Sequence, residues 1–372
     1  MGDAYQTYTH GDAKAQPSLH SLLRKLPKID LHRHLEGSLR LTTLAEIAQE
    51  HGIDLPAQGT EELRPYVQVT NQDTSFHQFL AKFQLLRRFY RSQQAVERIA
   101  YEAVADAADD NIRYLELRFN PVALSRNQNF SLDEVTRWVC HSIERAQEDY
   151  DTMVRLILQI GRDESLKIAE EIAELAVAYQ SLGVVGIDLA GDEVNYPPQR
   201  FAPVFQRASR EGLGITVHAG EAGGADNVHA AVQLLNATRI GHGVRVVENS
   251  EVVRFVRERG VVLEVCPTSN LLTGVVRSLT HHPLPDLFSL GIKVTINTDD
   301  PSVCDTTLSD EYMVAINVSN LNLDHIQLAL FNAIDAAFLT DAEKHTLRRK
   351  FTTWQDEEPV YQVIHERLAC NV

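Results

Sequence analysis

The chain has 372 residues, a net charge of −16, 44% hydrophobic residues and 23% charged residues, a composition typical of a globular protein. This length allows a large core, in one barrel or in two domains. The acidic charge and the lack of a basic stripe argue against a nucleic-acid partner. No uncharged apolar run approaches the roughly 18 residues that predict a membrane span.

The four cysteines are widely spaced, and no Cys-x-x-Cys pair occurs. This spacing favours reduced thiols over a disulfide framework or a cysteine zinc site, and we therefore expect a cytoplasmic protein. Residues 1–18 are polar and lack the apolar core of a signal peptide. They are predicted to form a disordered lead-in.

The first predicted strand, residues 29–37, carries His32 and His34. On a strand, a spacing of two puts both imidazoles on one face. Imidazole is the commonest protein metal ligand, so the pair could begin a metal site. By itself the short His-x-His pair favours two hydrogen-bonded core histidines, and the rest of the chain has to decide between the two interpretations.

Seven more apolar segments alternate with helical periodicity along the chain. Predicted strands two to eight are residues 112–119, 154–161, 184–191, 214–221, 239–243, 261–267 and 293–300. Residues 36–111 are predicted to be a helical insertion after the first strand. Helices near 309–319, 323–338 and 341–352 close the chain, and residues 356–372 are predicted to form a polar C-terminal tail without an assigned role.

Eight such strands alternating with helices predict the α/β class and a (β/α)₈ TIM barrel, built as a single domain over residues 19–355. A doubly wound open sheet is the competing fold. That fold requires a glycine-rich phosphate turn after its first strand, and the sequence His-Leu-Glu-Gly-Ser-Leu is not such a turn.

Ionisable residues stand at the ends of four of the predicted strands, where a TIM barrel places its active site. They are His32, His34, Glu36, His218, Glu221, His242, Asp299 and Asp300. Burying such groups costs free energy unless they are paired or bound to a metal, so this concentration favours a metal site. In a closed barrel strand eight pairs with strand one, which would place Asp299 beside the two histidines of strand one and opposite His218. Three imidazoles and one carboxylate suit zinc and leave a position for water.

Three of these residues have open alternatives. Glu221 could reach the pocket as a general acid with a raised pKa, or serve as a helix N-cap or surface charge. Asp300 precedes a proline and could turn into the mouth of the barrel, or act as a turn or capping residue. His242 lies between two glycines, which suggests close approach of a ligand or a neighbouring backbone, and it could take or orient the proton of a metal-bound water.

Six segments of the chain resemble the signature motifs of the adenosine deaminases, which belong to the amidohydrolase superfamily. They are IDLHRHLEG at 29–37, DLAGDE at 188–193, TVHAGE at 216–221, RIGHG at 239–243, CPTSN at 266–270 and NTDDP at 297–301. The resemblance runs in order from about residue 20 to residue 350.

This resemblance implies zinc-dependent hydrolytic deamination of adenosine and 2′-deoxyadenosine to inosine and 2′-deoxyinosine, with release of ammonia. The implied ligands of a single zinc ion are His32, His34, His218 and Asp299. Glu221 would protonate purine N1, and His242 and Asp300 would orient the water that adds to C6. The implied substrate contacts are His34, Glu36, Asp300 and the backbone N–H of Gly191, which would meet purine N3.

One position departs from the pattern of many adenosine deaminases, which have Asp where this chain has Glu36. That acid is expected near the 5′ end of the ribose. Adenine deaminases, and deaminases of 5′-modified adenosines such as aminodeoxyfutalosine, also tend to have Glu there. The DLAGDE and GHG segments resemble the adenosine branch, so adenosine is the favoured substrate and these related aminopurines are the alternative.

Two interpretations from other classes remain. A metal-free hydrolase could use Glu221 with Asp299 or Asp300 as a carboxylate pair, but this leaves four rim histidines without a role. A non-catalytic barrel could bind a ligand, but loss of Glu221 or of a metal ligand would then be expected, and all of them are present. Exposed helices at the rim could support a homo-oligomer.

Overall fold

The computed structural model describes residues 17–57, 59–70, 76–317, 321–357 and 359–369. Residues 1–16 of the predicted lead-in lie outside the described residues. Within the described residues, no helix is both long enough and apolar enough to cross a membrane.

Eight parallel strands form one sheet in which neighbours along the chain are also neighbours in space. The strands are β1 (Lys28–His34), β2 (Ile112–Phe119), β3 (Met153–Gly161), β4 (Val184–Ala190), β5 (Gly214–Ala219), β6 (Arg239–His242), β7 (Val262–Val265) and β8 (Lys293–Ile296). Beyond β8, Asp299 bridges back to Arg33 of β1. Its N–H donates to the His32 carbonyl at 2.8 Å, and its carbonyl accepts from the N–H of His34 at 2.8 Å. This arrangement confirms the predicted (β/α)₈ barrel.

Helices surround the barrel and fill the insertion after β1. They are α1 (Leu19–Lys25), α2 (Leu41–His51), α3 (Thr60–Val67), α4 (Phe76–Leu86), α5 (Gln93–Asp109), α6 (Pro121–Ser125), α7 (Leu132–Asp149), α8 (Leu166–Ala178), α9 (Ala202–Arg210), α10 (Ala225–Leu235), α11 (Ser250–Arg259), α12 (Pro267–Leu272), α13 (Leu284–Ser289), α14 (Pro301–Cys304), α15 (Leu308–Asn317), α16 (Leu323–Ala336), α17 (Asp341–Glu357) and α18 (Pro359–Ala369). The region predicted as a polar tail contains α18, whose Ile364 is fully buried. The polar composition of that region did not predict this apolar contact.

The N-terminal end of the barrel is closed by an aromatic side chain, Phe338, which follows α16. Strands β4 and β5 have Gly186 and Gly214 at this point, and a Cβ on Gly214 would lie 2.3 Å from the Phe338 ring. The Arg239 guanidinium stacks on the same ring at 3.6 Å and pairs with Glu264. We refer to Phe338 and the two glycines as the Phe338 plug. It packs the barrel floor so that chemistry is confined to the opposite end.

Candidate active site

Four side-chain atoms converge at the C-terminal end of the barrel. His34 Nε2 lies 3.3 Å from His32 Nε2, 3.2 Å from His218 Nε2 and 3.1 Å from Asp299 Oδ1. His32 Nε2 is 3.2 Å from the same carboxylate oxygen. All four residues are buried. The structure thus brings together the three imidazoles and one carboxylate that the sequence predicted as neighbours.

The hydrogen bonds behind these histidines fix which ring nitrogen faces inward. His32 Nδ1 lies 2.7 Å from Glu264 Oε2, and His218 Nδ1 lies 3.0 Å from Asp188 Oδ2. A carboxylate accepts, so each Nδ1 carries the proton, and the lone pair of each Nε2 points at the other inward-facing atoms. A cluster of lone pairs in a buried site could hold a metal ion.

The spacing of the cluster fits zinc. Two ligand atoms that each lie about 2.0 Å from a tetrahedral zinc ion are about 3.3 Å apart, and the four distances of 3.1–3.3 Å that involve His34 or His32 match this spacing. His242 Nε2 lies further out, 3.9 Å from Asp299 Oδ2. His242 can be grouped with His32, His218 and Asp299 as a potential metal site, and His34 can be grouped with Asp299 and Asp300. The shortest distances join His34, not His242, to the cluster, so His34 is the better-placed candidate for the fourth ligand.

The pKa values of the clustered residues shift in different directions. Burial lowers the pKa of His32, but Asp299 and Glu264 outweigh that effect and its pKa is raised. Burial raises the pKa of Asp299, but its contacts with His32 and His34 hold the pKa well below its usual value. Burial lowers the pKa of His218 to about 4 despite the neighbouring Asp188, so this ring is neutral and free to bind a metal.

A left-handed backbone turn after β8 aims both aspartates into the mouth. Strand β8 ends at Ile296, and Asp299 has φ of 64°. On a regular strand the two neighbouring side chains would face opposite ways, and this turn removes that constraint. The Asp300 carboxyl occupies the space beside Gly37, where a Cβ would lie 1.9 Å from Asp300 Oδ1. Asp300 precedes α14 but makes no side-chain capping bond, so of the two alternatives the structure favours the pocket position.

Glu221 is buried in the same pocket, with Oε2 3.7 Å from His242 Nε2. Burial raises its pKa well above the usual value, and the charges of Asp299 and Glu193 raise it further. The raised pKa favours the protonated carboxyl, which can donate a proton. Helix α10 begins after Gly224, so Glu221 is not its N-cap.

His242 is held beside the cluster by an amide. Asn270 Nδ2 lies 3.1 Å from His242 Nδ1, and Asn270 Oδ1 lies 3.2 Å from His282 Nε2. An amide nitrogen donates, so Nδ1 accepts and Nε2 carries the proton of the neutral ring. Burial, together with the neighbouring histidines, lowers the pKa of His242 well below its usual value. A neutral ring with Nε2–H facing the pocket can orient an oxygen by donating a hydrogen bond.

The two remaining predicted residues lie at the edge of the site. Gly191 follows β4 and has φ of 108°, a conformation that favours glycine. Glu36 follows β1 and is buried, and its Oε1 accepts from the N–H of Asn120 at 2.7 Å. Burial raises the pKa of Glu36. All of the predicted site residues therefore lie at one end of the barrel.

Sequence reasoning missed a layer of residues that hold the predicted ones. Asp188 and Glu264 fix the histidine tautomers, and Arg118 joins the two carboxylates at 3.0 and 2.9 Å. Glu193 accepts from the N–H groups of Gly220, Glu221 and Gly223 at 2.6, 3.1 and 2.8 Å, and so fixes the loop that carries Glu221. Charged residues inside apolar strands, such as Glu264 in Val-Leu-Glu-Val, are the signal that could have found them.

Comparison with known proteins gives a consistent result. A family model described as adenosine deaminase matches residues 27–354. An adenosine deaminase from Clostridium botulinum (strain 657 / Type Ba4) is 37% identical over 326 residues, which cover 88% of this chain and 98% of that protein.

Several solved structures are also similar. An adenine deaminase from Arthrobacter aurescens has a TM-score of 0.82 at 29% identity and covers 89% of this chain and 99% of its own. An amidohydrolase from Burkhoderia ambifaria with bound Zn has a TM-score of 0.84 at 27% identity, with 94% of each chain covered. An N6-methyl-AMP deaminase from Arabidopsis thaliana has a TM-score of 0.80 at 30% identity and covers 91% of this chain and 100% of its own.

Proposed function

The chain belongs to the adenosine deaminase family, a family of hydrolases that act on C–N bonds, and we propose that it deaminates adenosine and 2′-deoxyadenosine with one zinc ion. The observation that carries the proposal is the cluster formed by His32, His34, His218 and Asp299, in which His34 Nε2 lies 3.1–3.3 Å from an inward-facing atom of each of the other three. The zinc bound to the Burkhoderia ambifaria amidohydrolase supports the choice of metal. We place the activity in one domain, residues 19–355.

Zinc, when bound, lowers the pKa of a coordinated water to about 7 and so supplies a nucleophile at neutral pH. The side chains around it supply the remaining steps. The raised pKa of Glu221 favours its protonated form, which donates a proton to purine N1. Protonated N1 withdraws electrons from C6, so the water oxygen adds to C6 as the C6=N1 double bond opens. One water proton then passes to N6 and the other returns to the Glu221 carboxylate, so that the C6–N6 bond breaks, a C6=O bond forms and ammonia leaves.

Two further residues orient the attacking oxygen. His242 donates from Nε2, because the amide of Asn270 occupies its Nδ1. The Asp300 carboxyl is buried beside Gly37, at the same mouth of the barrel. In this proposal the N–H of Gly191, at the end of β4, contacts purine N3, and Glu36 and His34 complete the substrate contacts.

The substrate has an alternative with its own support. The adenine deaminase from Arthrobacter aurescens and the N6-methyl-AMP deaminase from Arabidopsis thaliana share this fold at similar identity. Adenine and 5′-modified adenosines are therefore the competing substrates. The residue of this chain that makes them alternatives is Glu36, which stands where many adenosine deaminases have Asp.

Ammonia release tests the proposal. The protein is stripped of metal with a chelator, reloaded with zinc and assayed on adenosine, adenine and a 5′-modified adenosine. Turnover of adenosine that requires zinc, with little turnover of adenine, is the expected result. Preference for another aminopurine would change the substrate and retain the zinc. Equal activity in the stripped protein would contradict the zinc proposal.

Zinc content tests the ligand set independently of activity. His218→Ala removes one of four ligands, so we expect the purified variant to lose most of its zinc in metal analysis after dialysis. His229→Ala, at an exposed position on α10, is the matched control and should retain a full equivalent. Full zinc retention by His218→Ala would contradict the assignment.

A further inference from the structure

A buried histidine that belongs to none of the six motifs lies behind His242. His282 is in the segment between α12 and α13, and its side chain is buried. Its Nδ1 lies 3.0 Å from the backbone nitrogen of Leu284, and its Nε2 lies 3.2 Å from Oδ1 of Asn270. The ring therefore connects the beginning of α13 to the amide that contacts His242.

The backbone contact determines which nitrogen of His282 carries the proton. A main-chain N–H can only donate, so Nδ1 accepts from Leu284 and carries no proton itself. Burial lowers the pKa of His282 to about 4, so the ring is neutral at pH 7 and its one proton is on Nε2. Nε2 is thus the donor toward Asn270, and the amide atom that faces it has to be the oxygen.

The amide of Asn270 passes this orientation on to His242. With its oxygen bound to His282, the amide presents Nδ2 to His242 Nδ1 at 3.1 Å. An amide nitrogen only donates, so Nδ1 accepts and the proton of the neutral His242 ring is on Nε2. An amide turned by 180° would offer its oxygen to Nδ1 instead, and His242 would then lose the Nε2–H that orients the attacking oxygen.

The carboxyl groups near His242 do not fix this tautomer. His242 Nε2 is 3.7 Å from Glu221 Oε2 and 3.9 Å from Asp299 Oδ2, and both distances exceed that of a hydrogen bond. The hydrogen bond at Nδ1 therefore determines where the His242 proton lies, and His282 determines which amide atom makes that bond.

We propose that His282 is a positioning residue, which through the Asn270 amide holds His242 in the tautomer that donates from Nε2 to the oxygen attacking the purine. This inference rests on the proposed function and deepens it. It extends the site to the segment before α13, where the sequence motifs indicated no functional residue.

Two substitutions separate the two contacts of His282. His282→Gln keeps a donor near the place of Nε2, whereas His282→Asn keeps an acceptor near the place of Nδ1 and does not reach Asn270. We expect His282→Asn to lower kcat on adenosine about 10-fold, as for the loss of one hydrogen bond, with KM unchanged to within about two-fold. His282→Gln should restore kcat to within about three-fold of wild type.

Nitrogen NMR measures the tautomer directly. In protein labelled with ¹⁵N at histidine, protonated and unprotonated ring nitrogens of a neutral imidazole have different chemical shifts. Wild type and His282→Gln should carry the His242 proton on Nε2, and His282→Asn should carry a measurable fraction on Nδ1. The exposed neighbour His281 supplies the matched control, since His281→Asn should change neither kcat nor the His242 signals.

A third variant tests the same connection if His282→Asn folds poorly. Asn270→Leu removes the amide and should lower kcat by at least as much as His282→Asn. Because His282 acts through Asn270, adding His282→Gln or His282→Asn to Asn270→Leu should cause no further loss. Additive losses would overturn the proposed connection.

The outcomes distinguish this proposal from the proposed function. Equal kcat in His282→Asn and His282→Gln, or a His242 proton that stays on Nε2 in His282→Asn, would overturn the role of His282 and leave adenosine deamination intact. Preference of the wild type for another aminopurine would contradict the proposed substrate, whereas a proton shift in His282→Asn would still support the role of His282.

Discussion

Buried carboxyl groups a few ångströms apart in this pocket have opposite pKa shifts. Asp299 contacts two histidines, which hold its pKa well below the usual value despite burial. Glu221 has no cationic partner of that kind, so burial and the charges of Asp299 and Glu193 raise its pKa. The neighbours therefore decide which carboxyl favours the charged form that a metal ligand needs and which favours the protonated form that an acid needs.

We expect Glu221→Gln to keep its zinc and lose roughly 10²–10⁴-fold in kcat, because an amide does not transfer a proton to N1. Metal analysis and steady-state kinetics on adenosine measure the two effects. Glu258→Gln, at an exposed position on α11, is the control and should behave as wild type. Near-normal turnover by Glu221→Gln would contradict the assignment of Glu221 as proton donor.

At the scale of elements, short contacts between loops and strands position the site. Glu193, in the loop after β4, binds three N–H groups of the loop after β5, so the two loops are fixed together. At the opposite end, the Phe338 plug fits only because β4 and β5 carry glycine there. The plug lies under Arg239, which belongs to the buried ion pairs of the barrel floor.

The plug predicts an energetic coupling between Gly214 and Phe338. Gly214→Ala in the wild type places a methyl group 2.3 Å from the ring and should destabilise the fold by about 1–3 kcal/mol. In a Phe338→Ala background the same methyl group has room, and its cost should fall close to zero. Urea unfolding of the wild type, both single variants and the double variant measures the coupling. Additive free energies would show that the ring and the glycine do not share this space.

At the scale of the whole molecule, the buried charged groups of the barrel are stabilised by partners of opposite charge. Glu311 of α15 is also buried, but its hydrogen-bond partners are neutral. Its carboxyl accepts from the N–H of Thr268 at 3.0 Å and from the hydroxyl of Thr306 at 2.9 Å. It thereby joins the segments that follow β7 and β8. Burial raises its pKa to about 7.

This pKa makes the stability of the fold depend on pH. The folded chain holds the Glu311 proton up to about pH 7, whereas the unfolded chain releases it near the usual value of 4.5. The folded state therefore binds more protons between these values, and stability falls as pH rises through this window. The contribution is on the order of 2–3 kcal/mol between pH 5 and pH 8.

Glu311→Gln should remove this contribution. The free energy of unfolding is measured in urea from pH 5 to pH 8 for wild type and variant. As pH rises, it should fall more steeply for the wild type, so that the two curves converge or cross. Parallel curves would show that Glu311 does not titrate in this range.

The sequence by itself determined the barrel and the residues of its rim. Strands β1 to β8 were predicted because buried parallel strands are continuous apolar runs, a local property of the chain. The ionisable residues at their ends were found because charge at the end of an apolar strand is costly without a function. The resemblance in six motifs then identified the family, which comparison with known proteins confirmed.

Only the tertiary structure decided the orientation and protonation of each of these residues, because both depend on contacts between distant strands. The left-handed turn at Asp299, the Asn270 amide on His242 and the carboxylates behind His32 and His218 fix geometry and protonation.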